Sequence, residues 1–179
     1  MDHPTHGTDL WPVAAMACSG LLLTVAVPGV VRLLRRAPCW ERLSLHPGAA
    51  LPLLVLAHAW VVLADLLASL PAAVTLVSEL ALLWAAVLFW LPVVAHTRHR
   101  LSDPGQCLYL FLAAPLLDLP ALGVIAAGHA AEGLAMIVGM LPLGIAAAAV
   151  TWSWIHREER GAAAVALPLT PEAARSHGG

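Results

Sequence analysis

The chain contains no lysine, and only 11% of its 179 residues are charged, whereas 60% are hydrophobic. Such a scarcity of charge excludes a disordered chain and an ordinary soluble domain, and it is typical of a protein that crosses a membrane several times. The formal net charge of -2 argues against a nucleic acid as a partner. We therefore expect membrane lipid to surround most of the chain.

Cysteine and enzyme motifs are scarce as well. The three cysteines have no framework spacing and no Cys-x-x-Cys, so nothing in the sequence indicates a disulfide scaffold. The sequence has no nucleophile elbow, no phosphate-binding loop, no His-Glu-x-x-His and no dinucleotide fingerprint, so we expect a protein that is not an enzyme. Residues 1–10 lack the positive charge of a signal peptide, and the first hydrophobic segment is therefore expected to be retained.

Five hydrophobic segments are long enough to cross a bilayer, because about 20 residues in a helix span its hydrocarbon core. The predicted spans are residues 11–31, 48–67, 73–94, 107–127 and 134–155. The predicted fold is all-α, a polytopic membrane bundle of five transmembrane helices. We expect an N-terminal arm over residues 1–10, a membrane domain over 11–156 and a disordered tail over 157–179, which is rich in Ala, Pro and Gly.

The arginines predict the orientation of the bundle. With five spans, every arginine falls on the same side, in the loop after the first span, the loop after the third span or the tail. The positive-inside rule makes that side cytoplasmic. The N-terminus is then outside and the C-terminus is in the cytoplasm. The arginines are Arg32, Arg35, Arg36, Arg42, Arg98, Arg100, Arg157, Arg160 and Arg175.

The fourth span carries one charged residue, Asp118, between Pro115 and Pro120. A carboxyl group inside a membrane is costly, so it normally faces the interior of the bundle and marks a functional position. The alternative is a protonated Asp118 that hydrogen bonds to a neighbouring helix and serves packing alone. The sequence leaves both interpretations open.

Carboxylates, imidazoles and sulfur atoms collect in the predicted outer half of the membrane. Sulfur ligands select Cu(I), and imidazole also suits copper. The alternative is that the methionines fill gaps in the core and the cysteine is a small buried apolar residue. His58 is interpreted as a neutral, hydrogen-bonded residue of the interior. The predicted copper ligands are Met16, Cys18, Glu79, Asp118, His129 and Met136.

Another interpretation of the acidic residues is a pathway for protons or a small solute through Asp65, Glu79 and Asp118. Transporters usually show paired halves in their sequence. Five spans without a visible repeat argue against this interpretation.

The second half of the chain carries an ordered set of motifs. Val-Leu-Phe-Trp-Leu-Pro over 87–92 is followed by Arg-Leu-Ser-Asp-Pro-Gly over 100–105 and Leu-Tyr-Leu-Phe-Leu-Ala over 108–113. In order and spacing, residues 84–160 resemble the CtaG family of membrane factors for cytochrome c oxidase assembly. The resemblance implies a multi-pass chaperone of the bacterial plasma membrane that binds an oxidase subunit and supplies copper.

The resemblance also locates a difference. Members of the CtaG family carry a pattern like His-Met-x-x-His in an early span, whereas this chain has Ala-Met-Ala-Cys-Ser over residues 15–19. The resemblance therefore implies a shortened, divergent member in which Met16, Cys18 and Glu79 form a substitute ligand set. The alternative is a structural or interaction subunit that has kept the fold and lost the metal ligands.

Overall fold

The computed structural model describes residues 10–67 and 70–166, and it describes no side chain of residues 65–67 and 165–166. Within this part every regular element is a helix. Five stretches are long and apolar enough to cross a membrane. The predicted all-α bundle of five transmembrane helices is confirmed. Residues 1–9 of the predicted arm and 167–179 of the predicted tail lie outside the described residues.

The first span consists of three consecutive pieces, and the other four are single helices. A short helix lies between the first and second spans. The elements are α1 (Leu10–Leu21), a π-helical turn (Leu22–Ala26), α2 (Val27–Leu33), the short α3 (Cys39–Leu43), α4 (Pro47–Leu67), α5 (Ala72–Val94), α6 (Asp103–Ala126) and α7 (Ala130–Ala166).

The exterior of the bundle is apolar. Leu108, Phe111 and Ile145 are exposed by 70%, 53% and 68%, and many other large apolar side chains point outward with them. A soluble protein does not expose contiguous apolar surface of this extent, whereas hydrocarbon solvates it without cost. The chain is therefore a multi-pass membrane protein.

The last helix is longer than its predicted span. It begins at Ala130 and continues to Ala166, so residues 157–166, expected to be disordered, are helical. Arg157 donates a hydrogen bond of 2.7 Å to the carboxylate of Asp103 at the start of α6. Because this ion pair joins the two helices, it supports α7 beyond its apolar part.

The turn from α6 to α7 is tight. Gly128 adopts a φ of 96°, which only glycine reaches without strain. The Gly128 N–H donates to the Ile125 carbonyl at 3.0 Å, and the His129 N–H donates to the Val124 carbonyl at 3.1 Å. This pair of bonds is a Schellman motif, which ends α6 and brings α7 back antiparallel to it.

The five spans form a closed ring. The first span packs against α7, α7 against α6, α6 against α4 and α4 against α5, and α2 completes the ring against α5. The main core lies inside the ring around Phe89, Leu91 and Leu110, each no more than 1% exposed. The Phe89 and Tyr109 rings stack there, with their centroids 4.8 Å apart.

The described arginine-bearing segments meet at one end of the bundle. The His96 N–H donates to the Arg35 carbonyl at 3.4 Å, the Ser44 hydroxyl lies 3.1 Å from the His99 ring, and Arg157 reaches Asp103. We call this end the arginine end and the opposite end the distal end.

The π-helical turn follows from Pro28. The Val27 N–H donates to the Leu22 carbonyl, five residues back, and the next bond would need an N–H that proline lacks. The Leu23 carbonyl is thereby freed, and the buried indole Nε1–H of Trp90 donates to it at 2.9 Å. The hydrogen bond from Trp90 thus links α5 to the first span at the π-helical turn.

One turn earlier, the first span touches α7 backbone to backbone. A Cβ atom at Gly20 would lie 2.9 Å from the carbonyl carbon of Gly139, and a Cβ atom at Gly139 would lie 2.9 Å from the Ala17 carbonyl oxygen. The Thr24 hydroxyl lies 2.8 Å from the Gly20 carbonyl oxygen and 3.1 Å from that of Gly139. Small residues allow this close approach of membrane helices.

We expect Gly20→Ala and Gly139→Ala each to lower the free energy of unfolding by about 1–3 kcal/mol, because backbone atoms must move to admit a methyl group. Thermal unfolding in detergent measures the change. Gly144→Ala on α7 is the matched control, because a Cβ atom there meets no atom within 4 Å. Equal stability of the Gly139 and Gly144 variants would contradict the close contact.

We expect Trp90→Phe to lower the free energy of unfolding by about 1–3 kcal/mol, because the buried Leu23 carbonyl loses its partner. The matched control is Trp84→Phe on the same helix, since Trp84 is 50% exposed. The same thermal unfolding assay compares the two. If Trp84→Phe were the more damaging change, the indole hydrogen bond would not be what stabilises this contact.

Candidate functional site

A cavity of about 340 Å³ lies in the distal half of the bundle, between α1, α4, α5 and α7. We call it the distal cavity. This space exists because the two halves of the first span pack on different helices. The second half, α2, packs on α5, whereas the first half, α1, packs on α7. The side chains that carry chemistry in its lining are Met16, Ser19, His58, Glu79 and Met136.

Two methionine side chains line this cavity, one from α1 and one from α7, the helix on which α1 packs. Met136 on α7 is 2% exposed and belongs to a small apolar cluster with Val62, Ala121 and Val124. Met16 on α1 is half-buried and packs against that cluster. Both methionines were predicted ligands, and the structure brings them to one cavity.

His58 on α4 lines the same cavity and is the most unusual side chain there. It is 2% exposed, and within the described part of the chain neither ring nitrogen has a hydrogen-bond partner, although the Leu117 backbone approaches the ring. The burial agrees with the interpretation of His58 as an interior residue, whereas the contact with the Leu117 backbone is too poorly aligned to make more than a weak hydrogen bond. A buried polar group without a partner costs about 1–3 kcal/mol, so the imidazole is available to a ligand.

Glu79 on α5 completes the set of donors. Its side chain is exposed and lines the distal cavity, on the side where α5 stands apart from α1. The cavity therefore combines two soft sulfur atoms, an imidazole nitrogen and a carboxylate. Such a donor set fits a soft transition metal such as copper.

The other predicted ligands lie elsewhere. Cys18 is exposed on α1 and does not line the distal cavity. His129 lies at the α6–α7 turn, where its Nδ1 is 3.5 Å from the carboxylate of Glu132. Across residues 10–67 and 70–166, no three side chains of His, Cys, Asp and Glu come together as a metal-binding group. A metal here would need methionine sulfur.

Asp118 is half-buried on α6 and also does not line the distal cavity. Its Oδ1 atom is buried, and in the described part of the chain it has no hydrogen-bond partner. That oxygen therefore makes no bond of the kind expected if Asp118 served packing through a neighbouring helix. Asp118 and Glu79 do not share a cavity, and the Asp65 side chain lies outside the described residues, so the structure does not join the three acids of the pathway interpretation.

Position along the helices, counted from their bounds in the structure, gives the depth of the donors in this cavity. Met16, Glu79 and Met136 each lie six or seven residues from the distal end of their helix, which places them about 10 Å deep. His58 lies nine residues before the end of α4, about one turn deeper. Cys18 and Asp118, each eight residues from the distal end of its helix, share this depth and do not line the cavity, so depth alone does not select the donors.

Comparison with known proteins adds no relative. No protein-family model matches the chain, and no curated protein and no solved structure matches it either. The resemblance of residues 84–160 to the CtaG family stays a prediction.

Proposed function

We propose that this protein is a non-enzymatic membrane factor that holds Cu(I) in the distal cavity and passes it to a subunit of cytochrome c oxidase during assembly. The observation that carries the proposal is the convergence of Met16, Met136 and the unpartnered His58 on one cavity. The resemblance to the CtaG family supports the identity of the recipient.

The donors suit copper as a cargo. Thioether sulfur and imidazole nitrogen are ligands that Cu(I) accepts, and a ring nitrogen without a partner can coordinate without first breaking a hydrogen bond. The Leu117 backbone beside the ring supplies a group that can orient the imidazole, as backbone carbonyls do for metal-bound histidines.

The donor side chains range from exposed to buried, and this range suits the transfer of a metal ion. Glu79 is exposed and Met16 is half-buried, whereas Met136 and His58 are each 2% exposed. A cation attracted by the Glu79 carboxylate can therefore move stepwise to softer and more buried donors. The same sequence of ligands in reverse delivers it to a partner.

The proposal includes an orientation, with the distal end outside and the arginine end in the cytoplasm of a bacterial cell. The nine arginines of the sequence support it through the positive-inside rule. The distal cavity then lies in the outer half of the membrane, and the copper would be passed on at the outer face.

A second candidate is a metal-free interaction subunit. The observation in its favour is that Cys18, Asp118 and His129 stay outside the distal cavity, so half of the predicted ligands do not converge. This candidate predicts no copper binding. It also predicts that Glu79→Gln and Asp118→Asn leave a co-purified oxidase subunit bound.

We expect the purified protein to bind one Cu(I) tighter than micromolar, measured by competition with a chromophoric chelator. Met136→Leu and His58→Leu should each weaken binding by about tenfold or more, because each removes a ligand. Met140→Leu is the matched control, since Met140 is equally buried one turn along α7 and does not line the cavity. Cys18→Ser should also leave binding unchanged.

Thermal unfolding separates loss of a ligand from loss of the fold in this experiment. The copper-free His58→Leu protein should melt no lower than the unsubstituted protein, because the change removes an unsatisfied buried group. Binding weaker than micromolar in the unsubstituted protein would overturn the copper proposal and favour the interaction subunit.

We expect Ala130→Cys to react with a membrane-impermeant maleimide added to intact cells, after replacement of Cys18 and Cys107 by serine. Native Cys39, which is exposed on α3 near the arginine end, is the internal control and should react only after lysis. Labelling of Cys39 alone in intact cells would reverse the proposed orientation.

A further inference from the structure

A second cavity, of about 630 Å³, lies at the arginine end between the first span, α5, α6 and α7. We call it the arginine cavity. Side chains from every one of these elements reach it. Those that matter here are Arg32, Arg35, Arg100, Arg157, Val25 and Ala149.

The cavity carries an uncompensated positive charge. Arg157 pairs with Asp103 at 2.7 Å. Among residues 10–67 and 70–166, no carboxylate lies within 4.0 Å of Arg32, Arg35 or Arg100. Three guanidinium groups that share a cavity and repel one another favour an anion between them.

The walls of the cavity change character with depth. The arginines lie at or beyond the ends of the spans, whereas the exposed apolar residues Val25 and Ala149 lie about two turns deeper, before Arg32 and Arg157 respectively. The cavity thus runs from charged groups at the membrane boundary into apolar surface. A ligand with an anionic head and an apolar tail matches both parts.

The positive-inside rule does not by itself explain why these arginines surround one cavity. Arg36, Arg42 and Arg98 belong to the same end of the bundle and do not line the cavity. The lining arginines come from α2, the turn after it, the α5–α6 connection and α7. Topology requires arginines on one side of a membrane but does not require them to surround one space.

We propose that the arginine cavity binds the phosphodiester headgroup of an anionic phospholipid, with an acyl chain along Val25 and Ala149. Guanidinium groups bind phosphate oxygens in pairs, and basic pockets between membrane helices select anionic headgroups. This site is independent of the copper proposal, since it lies at the opposite end of the bundle.

The test measures phosphatidylglycerol bound to the full chain in neutral detergent, by native mass spectrometry. The unsubstituted protein should hold one molecule and prefer it to phosphatidylcholine. Replacing Arg32, Arg35 and Arg100 together by glutamine should weaken this binding about a hundredfold, because each arginine near an anionic lipid changes affinity about fivefold. The matched control replaces Arg36, Arg42 and Arg98 by glutamine and should change affinity less than about twofold.

Three outcomes would overturn the proposal. The two triple variants could lose binding equally, which would show general charge attraction. Phosphatidylcholine could bind as tightly as phosphatidylglycerol. Inorganic phosphate at millimolar concentration could displace the lipid, which would make free phosphate the ligand. If the cavity triple variant does not fold, the pair Arg100→Gln and Arg98→Gln gives the same comparison, with about a fivefold loss expected for Arg100→Gln alone.

Discussion

The backbone contact between Gly20 and Gly139 decides how the first span is shared between its neighbours. It holds α1 against α7, since a side chain at either glycine would collide with main-chain atoms of the other helix. The π-helical turn before Pro28 then lets α2 continue against α5, where Trp90 donates to the freed carbonyl. Because the two halves of one span pack on different helices, space opens beside each of them. The distal cavity lies next to α1, and the arginine cavity lies next to α2.

The bundle provides a partner for the backbone carbonyl that is freed before Pro28, whereas in the described part of the chain buried polar atoms of His58, Thr97 and Asp118 have none. The Leu23 carbonyl, freed by a proline, receives an indole N–H, and the Thr24 hydroxyl bridges two carbonyls. Such hydrogen bonding within the protein is required in a membrane, because no water is present to bond to an unpaired group. The unpartnered nitrogens of His58, at the wall of a cavity, stand out against that background. This contrast is the physical reason to regard His58 as a ligand rather than as a packing residue.

The two ends of the molecule have opposite chemistry. Several arginines line the cavity at the arginine end, whereas sulfur, imidazole and carboxylate groups line the cavity at the distal end. A lipid held at one end and a metal held at the other make no use of the same residues. The two proposals are therefore compatible in one small bundle, and each can be tested without the other.

The sequence by itself determined the number of spans and the end at which the arginines meet, because a bilayer requires about 20 apolar residues for each crossing and alternate connections must lie on the same side. Depth depended on the structure, because α7 begins at Ala130, four residues before the predicted span, and Met136 therefore lies deeper than the sequence indicates. Only the tertiary structure decided which side chains share a cavity. Met16 and Cys18 lie two residues apart, and about 100° per residue turns them to nearly opposite faces of α1. Which face meets α7 depends on where Gly20 allows contact, and that choice placed Met16 at the distal cavity, left Cys18 outside it and brought in His58.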